Sequence, residues 1–353
     1  MSEWPNNGFP PSTEGVGGAQ GPEETSGQRG IVPAGPDGGA RREAFSAPAS
    51  VFLCVLGGAV ASSSLPLVGS LLVGSGVAGA SERLGVRGIA LCLPAALLPA
   101  VLLTAAVGPS AMVAAAMCCL AAFLVVGPIL RERMTPGLGC VIVAALALGQ
   151  LGADALIAAA DGTTVAAGVE ALLDAYQQQL GTEAGVGALM QQVRSVMMLL
   201  WPLAYVITAI GEYLFATFGV EFMVRRSPER AARLPKLVDY DLPVWIVAVL
   251  VAAAAGIAFG LTATGDAAEA TLMVSVNLAM ALRFAFAAQG LAVLAWFLRR
   301  RQVGNVASAF LGGIALYLEV QFVVLTIAGL LDVWANFRHL TRGTAQNVQE
   351  TAE

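Results

Sequence analysis

The sequence predicts an all-α, polytopic integral membrane helix bundle of about eight transmembrane helices, with eight to ten as the range. Three observations carry this. Hydrophobic residues make up 57% of the 353 residues and charged residues only 12%, where soluble domains carry about 25% charge. The mean hydropathy is +0.74. The apolar runs are also long: a bilayer core needs about 20 helical residues at about 1.5 Å each. The clearest run ends in Arg299-Arg300-Arg301, and from Ala270 to Leu298 its one charged residue is Arg283. Under the positive-inside rule the three arginines mark the cytoplasmic end.

Taken in order, residues 1–44 hold ten Gly and six Pro. Such a composition cannot bury a core, so a disordered cytoplasmic tail is expected. Residues 45–340 form the multi-span domain, and residues 341–353 are a disordered C-terminal tail. Ala44 to Ser81 is 38 residues without a charge, interrupted by Ser62-Ser63-Ser64 and Pro66. Two short spans, about 48–64 and 65–81, return Glu82, Arg83 and Arg87 to the cytoplasm. Gly57, Gly58, Ala61, Ser62, Gly69, Gly74 and Gly79 let backbones approach closely there. They serve either helix packing or partner docking. Gly88 to Leu130 allows two spans turning at Gly108-Pro109, and Arg131-Glu132-Arg133 marks the cytoplasm again.

The next span runs from Pro136 to about Ala160. Residues 154–194 then contain five acids and one base, which suits an external segment. Val169, Leu172, Leu173, Tyr176 and Leu180 recur at helical spacing, as in an amphipathic helix on the outer face. Ser195 to Val220 spans back. Residues 224–241 carry five basic and three acidic residues and form a cytoplasmic loop. Leu242 to Gly265 runs outward and the Arg283 helix inward. The last apolar stretch, Val303 to Leu331, is either one span or a hairpin turning near Tyr317 to Gln321. The hairpin would return Arg338 inside and leave Glu319 at the surface.

Several functions are excluded by composition. Cys54, Cys92, Cys118, Cys119 and Cys140 lie in apolar runs without CxxC spacing, as buried small hydrophobes do. There is one histidine and no HExxH, so no metal or cofactor is expected. No nucleophile–base spacing points to an enzyme, and no basic face points to nucleic acid.

Phe286 to Gln289-Gly290, Arg299-Arg300-Arg301 and Gly329-Leu330-Leu331-Asp332-Val333-Trp334-Ala335-Asn336-Phe337-Arg338 together resemble the C-terminal half of the YybS-like family of bacterial membrane proteins, a domain-of-unknown-function family (DUF2232). Leu234-Pro235 followed by Asp241-Leu242-Pro243 resembles the same family's loop. The resemblance covers about residues 45–340. It implies a multi-pass protein of the bacterial plasma membrane and gives no mechanism. The N-terminal half is similar to S components of energy-coupling-factor transporters, with a break at Leu65-Pro66. In place of their Ala-x-x-x-Ala docking face stand Gly57-x-x-x-Ala61 and Gly58-x-x-x-Ser62. That similarity implies a small-molecule ligand and transporter motor subunits as partners beside the lipid bilayer.

Charges at depth in a bilayer are costly and normally paired. Glu212, Arg283 and Glu319 are the three, with Gln289 a polar neighbour six residues beyond Arg283. Glu212 precedes Arg225 by 13 residues and Arg283 precedes Arg299 by 16. If those basic ends are level, Glu212 and Arg283 lie within about 5 Å in depth. An Arg283–Glu212 pair is then possible, serving either as an interhelical lock or as a ligand site. Asp332 and Arg338 form a local pair, with Trp334 and Phe337 in an interfacial belt. Two functional expectations follow from this: a small-molecule binding or transport protein, or a non-transporting scaffold in envelope or cell-division machinery.

Overall fold

The computed structural model describes residues 46–180, 184–226 and 228–340. The two expected tails, 1–44 and 341–353, lie outside the described residues. The described part is helical. Seven of its helices are long and apolar enough to cross a membrane by length and composition.

The first two helices form the expected hairpin. α1 covers Ala47–Ala61 and α2 Pro66–Leu84. Ser46 caps α1 by accepting from the Ala49 N–H. At its end the Ser62 and Ser63 hydroxyls donate to the Ala59 and Val60 carbonyls at 2.6 and 2.7 Å, which takes up carbonyls a helix end leaves without partners. Pro66 then opens α2, where its missing N–H costs nothing. The same device opens α4 (Pro109–Leu130) and α5 (Pro136–Ala160). Between α2 and α4, α3 spans Val86–Thr104 and continues through Pro94 and Pro99.

α6 covers Val165–Leu180 and α7 covers Ala184–Val224. Arg194 of α7 reaches back to Glu170 and Asp174 of α6, both at 2.5 Å. These exposed pairs orient α6 and contribute little stability. A one-turn α8, Pro228–Ala231, and a 3-10 turn at Leu237–Asp239 lead into α9, Trp245–Thr262. α10 is a single helix from Asp266 to Arg300.

The final apolar stretch is a hairpin. α11 covers Asn305–Phe322 and α12 covers Val324–Ala335. They part at Val323, which has φ 59°, a left-handed conformation rare for a β-branched residue. α12 packs along α10, while α11 keeps most of its surface exposed. Glu319 is not the surface residue expected of a hairpin. It is buried, because the turn falls four residues beyond it and lies against α10.

α2 is the packing centre, against α1, α3, α4 and α7. Every residue from Val73 to Ala80 is buried. Its 19 residues are not among the seven helices long and apolar enough to cross a membrane, and the reason is position. A helix enclosed by protein needs small residues for close approach more than it needs large apolar ones. Gly69 meets the Ala61 backbone, Gly74 meets Ala216, and a Cβ on Gly219 of α7 would overlap the Leu71 carbonyl. Ser75 donates to the Leu71 and Gly219 carbonyls at 3.0 and 3.1 Å. The small residues of this region therefore serve helix packing, and Gly57, Gly58 and Ala61 face α2 and α3 rather than a partner. Gly219→Val should separate α2 from α7 and cost about 1–3 kcal/mol as overpacking. Thermal unfolding of the purified protein in detergent measures this; an unchanged midpoint would count against the packing argument.

Candidate functional site

Two polar clusters stand on α10, one turn and a half apart, each closed by α12. The first surrounds Arg283. This residue lies 14 positions after Glu269 and 16 before Arg299, so about 21 and 24 Å from the two charged ends at about 1.5 Å per residue. It stands midway along the apolar part of α10. An unpaired charge there costs about 2.5–3.5 kcal/mol on insertion scales.

Glu319 supplies the compensation. Arg283 Nε donates to Glu319 Oε1 at 3.1 Å, and Nη2 donates to the Glu319 backbone carbonyl at 2.6 Å. The carboxylate also caps the broken helix. The Thr326 N–H donates to Oε2 at 2.9 Å and the Thr326 hydroxyl to Oε1 at 2.7 Å. Thr326 is the third residue of α12, where N–H groups have no helical acceptor and a negative charge is favoured by the helix dipole. One carboxylate thus neutralises the arginine and starts a helix. The Arg283 side chain remains 27% accessible, and its Nη1 makes no hydrogen bond among the described residues.

The second cluster is sealed. Arg338 and Asp332 have side chains with 0% exposure. Arg338 donates from Nε and Nη2 to Asp332 Oδ2 at 3.1 and 2.8 Å. It also donates to the Val238 and Tyr240 carbonyls at 2.7 and 2.8 Å. Gln289 joins from α10. Its Nε2 donates to Asp332 Oδ2 at 2.8 Å and to Asp241 Oδ1 at 3.2 Å, while its Oε1 accepts from the Leu242 N–H at 3.1 Å. All three guanidinium nitrogens of Arg338 donate, two of them to one carboxylate oxygen, and a buried charge is tolerated when it is paired and hydrogen-bonded in this way. Around it pack Leu242, Ile246, Phe286 and Val333. Burial pushes the Tyr240 phenol above its usual range, so it stays neutral beside this cluster. Trp334 and Phe337 point away and are exposed.

Backbone contact makes both clusters possible. Gly290 of α10 and Gly329 of α12 meet so closely that a Cβ on Gly290 would overlap the Leu325 carbonyl, and one on Gly329 the Phe286 carbonyl. The levels 283–326, 286–329 and 289–332 show α12 running parallel to α10. The chain end therefore returns to the level of residues 238–241.

Glu212 is elsewhere. It is buried on α7 within electrostatic range of Cys118 and Cys119 of α4, and it does not pair with Arg283. The expected pairing assumed that Arg225 and Arg299 are level. Asn277 of α10 donates to the Leu199 carbonyl of α7 at 2.8 Å. From that shared level Arg225 is 26 residues on (225 − 199) and Arg299 only 22 (299 − 277). Glu212 then lies 13 residues beyond the shared level and Arg283 six, about 10 Å apart in depth. Sequence reasoning also missed Thr326 and the role of Asp241. The signal for Thr326 was its place seven residues after Glu319, legible only once the break at Val323 is known.

The fold, with seven helices long and apolar enough to cross a membrane, defines a polytopic membrane protein built as a helix bundle. The chain belongs to the family described as "Predicted membrane protein (DUF2232)", which matches residues 61–333. Comparison with the curated proteins and with the solved structures finds no match. Gln289, Gly290, Gly329, Asp332, Arg338 and Asp241, which lie far apart in sequence, converge in the sealed cluster.

Proposed function

We propose that this is a non-enzymatic small-molecule binding or transport protein, whose ligand presents an anionic group to Arg283 in the middle of the membrane. The observation that carries this is the partly accessible guanidinium with an unused Nη1 at the tip of a broken helical hairpin. Helices interrupted at mid-membrane depth are the usual setting for substrate sites in transporters, and a planar guanidinium is suited to carboxylate or phosphate. Gln289 has no part in this site, since its amide is fully engaged with Leu242, Asp241 and Asp332. The basic ends of α4, α7 and α10 face the cytoplasm of a bacterial cell, which puts the N-terminus on the same side.

Native mass spectrometry of the purified protein tests the reading. A retained anionic small molecule is expected, with its adduct lost in Arg283→Leu and weakened in Arg283→Lys, which keeps the charge but not the fork. A wild-type protein that carries no adduct, or the same adducts as the Leu variant, sinks it. One observation favours the scaffold reading instead. Arg338 fixes residues 238–241 to the chain end, with Trp334 and Phe337 exposed beside them. Under that reading a protein partner co-purifies and depends on Trp334 and Phe337, while Arg283→Lys changes nothing.

A further inference from the structure

Glu212 is a buried acid without a counter-charge. It is 2% exposed, and its Oε2 is buried with no hydrogen-bond partner among the described residues. The groups around it are otherwise engaged. From α4 come the thiols Cys118 and Cys119. Ser70 of α2 donates to the Cys118 carbonyl at 2.8 Å and lies 3.0 Å from its Sγ, while that Sγ reaches the Pro66 carbonyl at 2.8 Å. Between Pro66 and Ser81, α2 has no charged residue.

Among the described residues, no cation on the other helices packed on α7 is paired with Glu212. α5 carries Cys140 and Asp154, and Asp154 accepts from the Tyr205 hydroxyl at 2.9 Å. Arg283 of α10 is paired with Glu319. The α6 acids Glu170 and Asp174 are held by Arg194, and on α7 itself Arg225 pairs with Glu221. Among the described residues no Lys, Arg or His makes an ion pair with Glu212.

A carboxylate in this position would leave a full charge uncompensated inside the bundle. The neutral acid leaves polar oxygens short of partners but carries no net charge, which costs far less in a low-dielectric interior. We infer that Glu212 is held in the membrane as the neutral acid, a proton-binding site enclosed by α2, α4 and α7. Its ligand is the proton, held on a residue that is 2% exposed. The contrast with Glu319 is physical. Both are glutamates at depth, but Glu319 has an arginine and a helix N-terminus beside it and Glu212 has neither. This inference does not depend on Arg283 binding a ligand.

Infrared spectroscopy reads the proton directly. Full-length wild-type protein and Glu212→Gln are compared in lipid nanodiscs at neutral pH. The wild type should show a carboxylic-acid C=O stretch that the Gln variant lacks. Loss of the carboxylate stretching bands instead, with the acid region unchanged, would overturn the inference. Should the Gln variant fail to accumulate, Glu212→Asp serves the same purpose. A displaced acid band supports the neutral acid, and a displaced carboxylate band refutes it. Glu319→Gln is the internal contrast and should remove carboxylate bands.

Discussion

Asp332→Leu should destabilise the protein by about 3–5 kcal/mol, the usual cost of breaking a buried ion pair from one side. Arg338 would keep its contacts to the Val238 and Tyr240 carbonyls but lose its only fully buried counter-charge. Asp241 does not replace it, since its nearest oxygen is 3.7 Å from Arg338 Nη2 and is shared with Gln289. The double variant Asp332→Leu, Arg338→Met should recover much of the loss, because an apolar replacement of both partners removes the stranded charge. Recovery stays incomplete, since two carbonyls and the Gln289 amide are left short of partners. Thermal unfolding in a single detergent, with yield as a second measure, checks the series. A double variant as unstable as the single one would show that the cluster does not act through charge pairing.

Gly290→Leu should undock α12 from α10. The Cβ alone meets the Leu325 carbonyl, and backbone cannot yield as a flexible side chain would. Overpacking a close-packed interface costs about 1–3 kcal/mol and occasionally more. Here separation also pulls Glu319 from Arg283 and Asp332 from Gln289, so the effect should exceed that of Gly219→Val. Gly329→Leu should behave alike, as its Cβ meets the Phe286 carbonyl on the same contact. Thermal unfolding in the detergent used for Gly219→Val checks both variants. Midpoints no lower than that of Gly219→Val would refute the close-contact argument.

Much of the helix layout is legible in the sequence. The Pro-initiated helices, the serine-rich break before Pro66 and the basic clusters at helix ends are local signals, each acting within a few residues. The pairing of Asp332 with Arg338 is local too, at a separation of six residues. What failed was depth. Counting from Arg225 and Arg299 to Glu212 and Arg283 assumed a common plane, and α7 and α10 do not end in one. No local pattern records the register of two helices separated by residues 225–265; the hydrogen bond from Asn277 to the Leu199 carbonyl shows it. The small residues of α2 were similarly ambiguous, because Gly and Ser at helical spacing look the same whether a neighbouring helix or a separate partner covers them.

By itself, the sequence determined the membrane class, most helix boundaries and which few residues carry charge at depth, because burial in lipid is a one-dimensional constraint on composition and run length. The tertiary structure alone decided which charges meet. Val323 in a left-handed conformation turns the chain midway along α10. The Gly290–Gly329 contact then brings α12 alongside α10, which delivers Glu319 to Arg283 and leaves Glu212 among the thiols of α4. Those outcomes depend on close approach between distant backbones, and only the packed bundle specifies them.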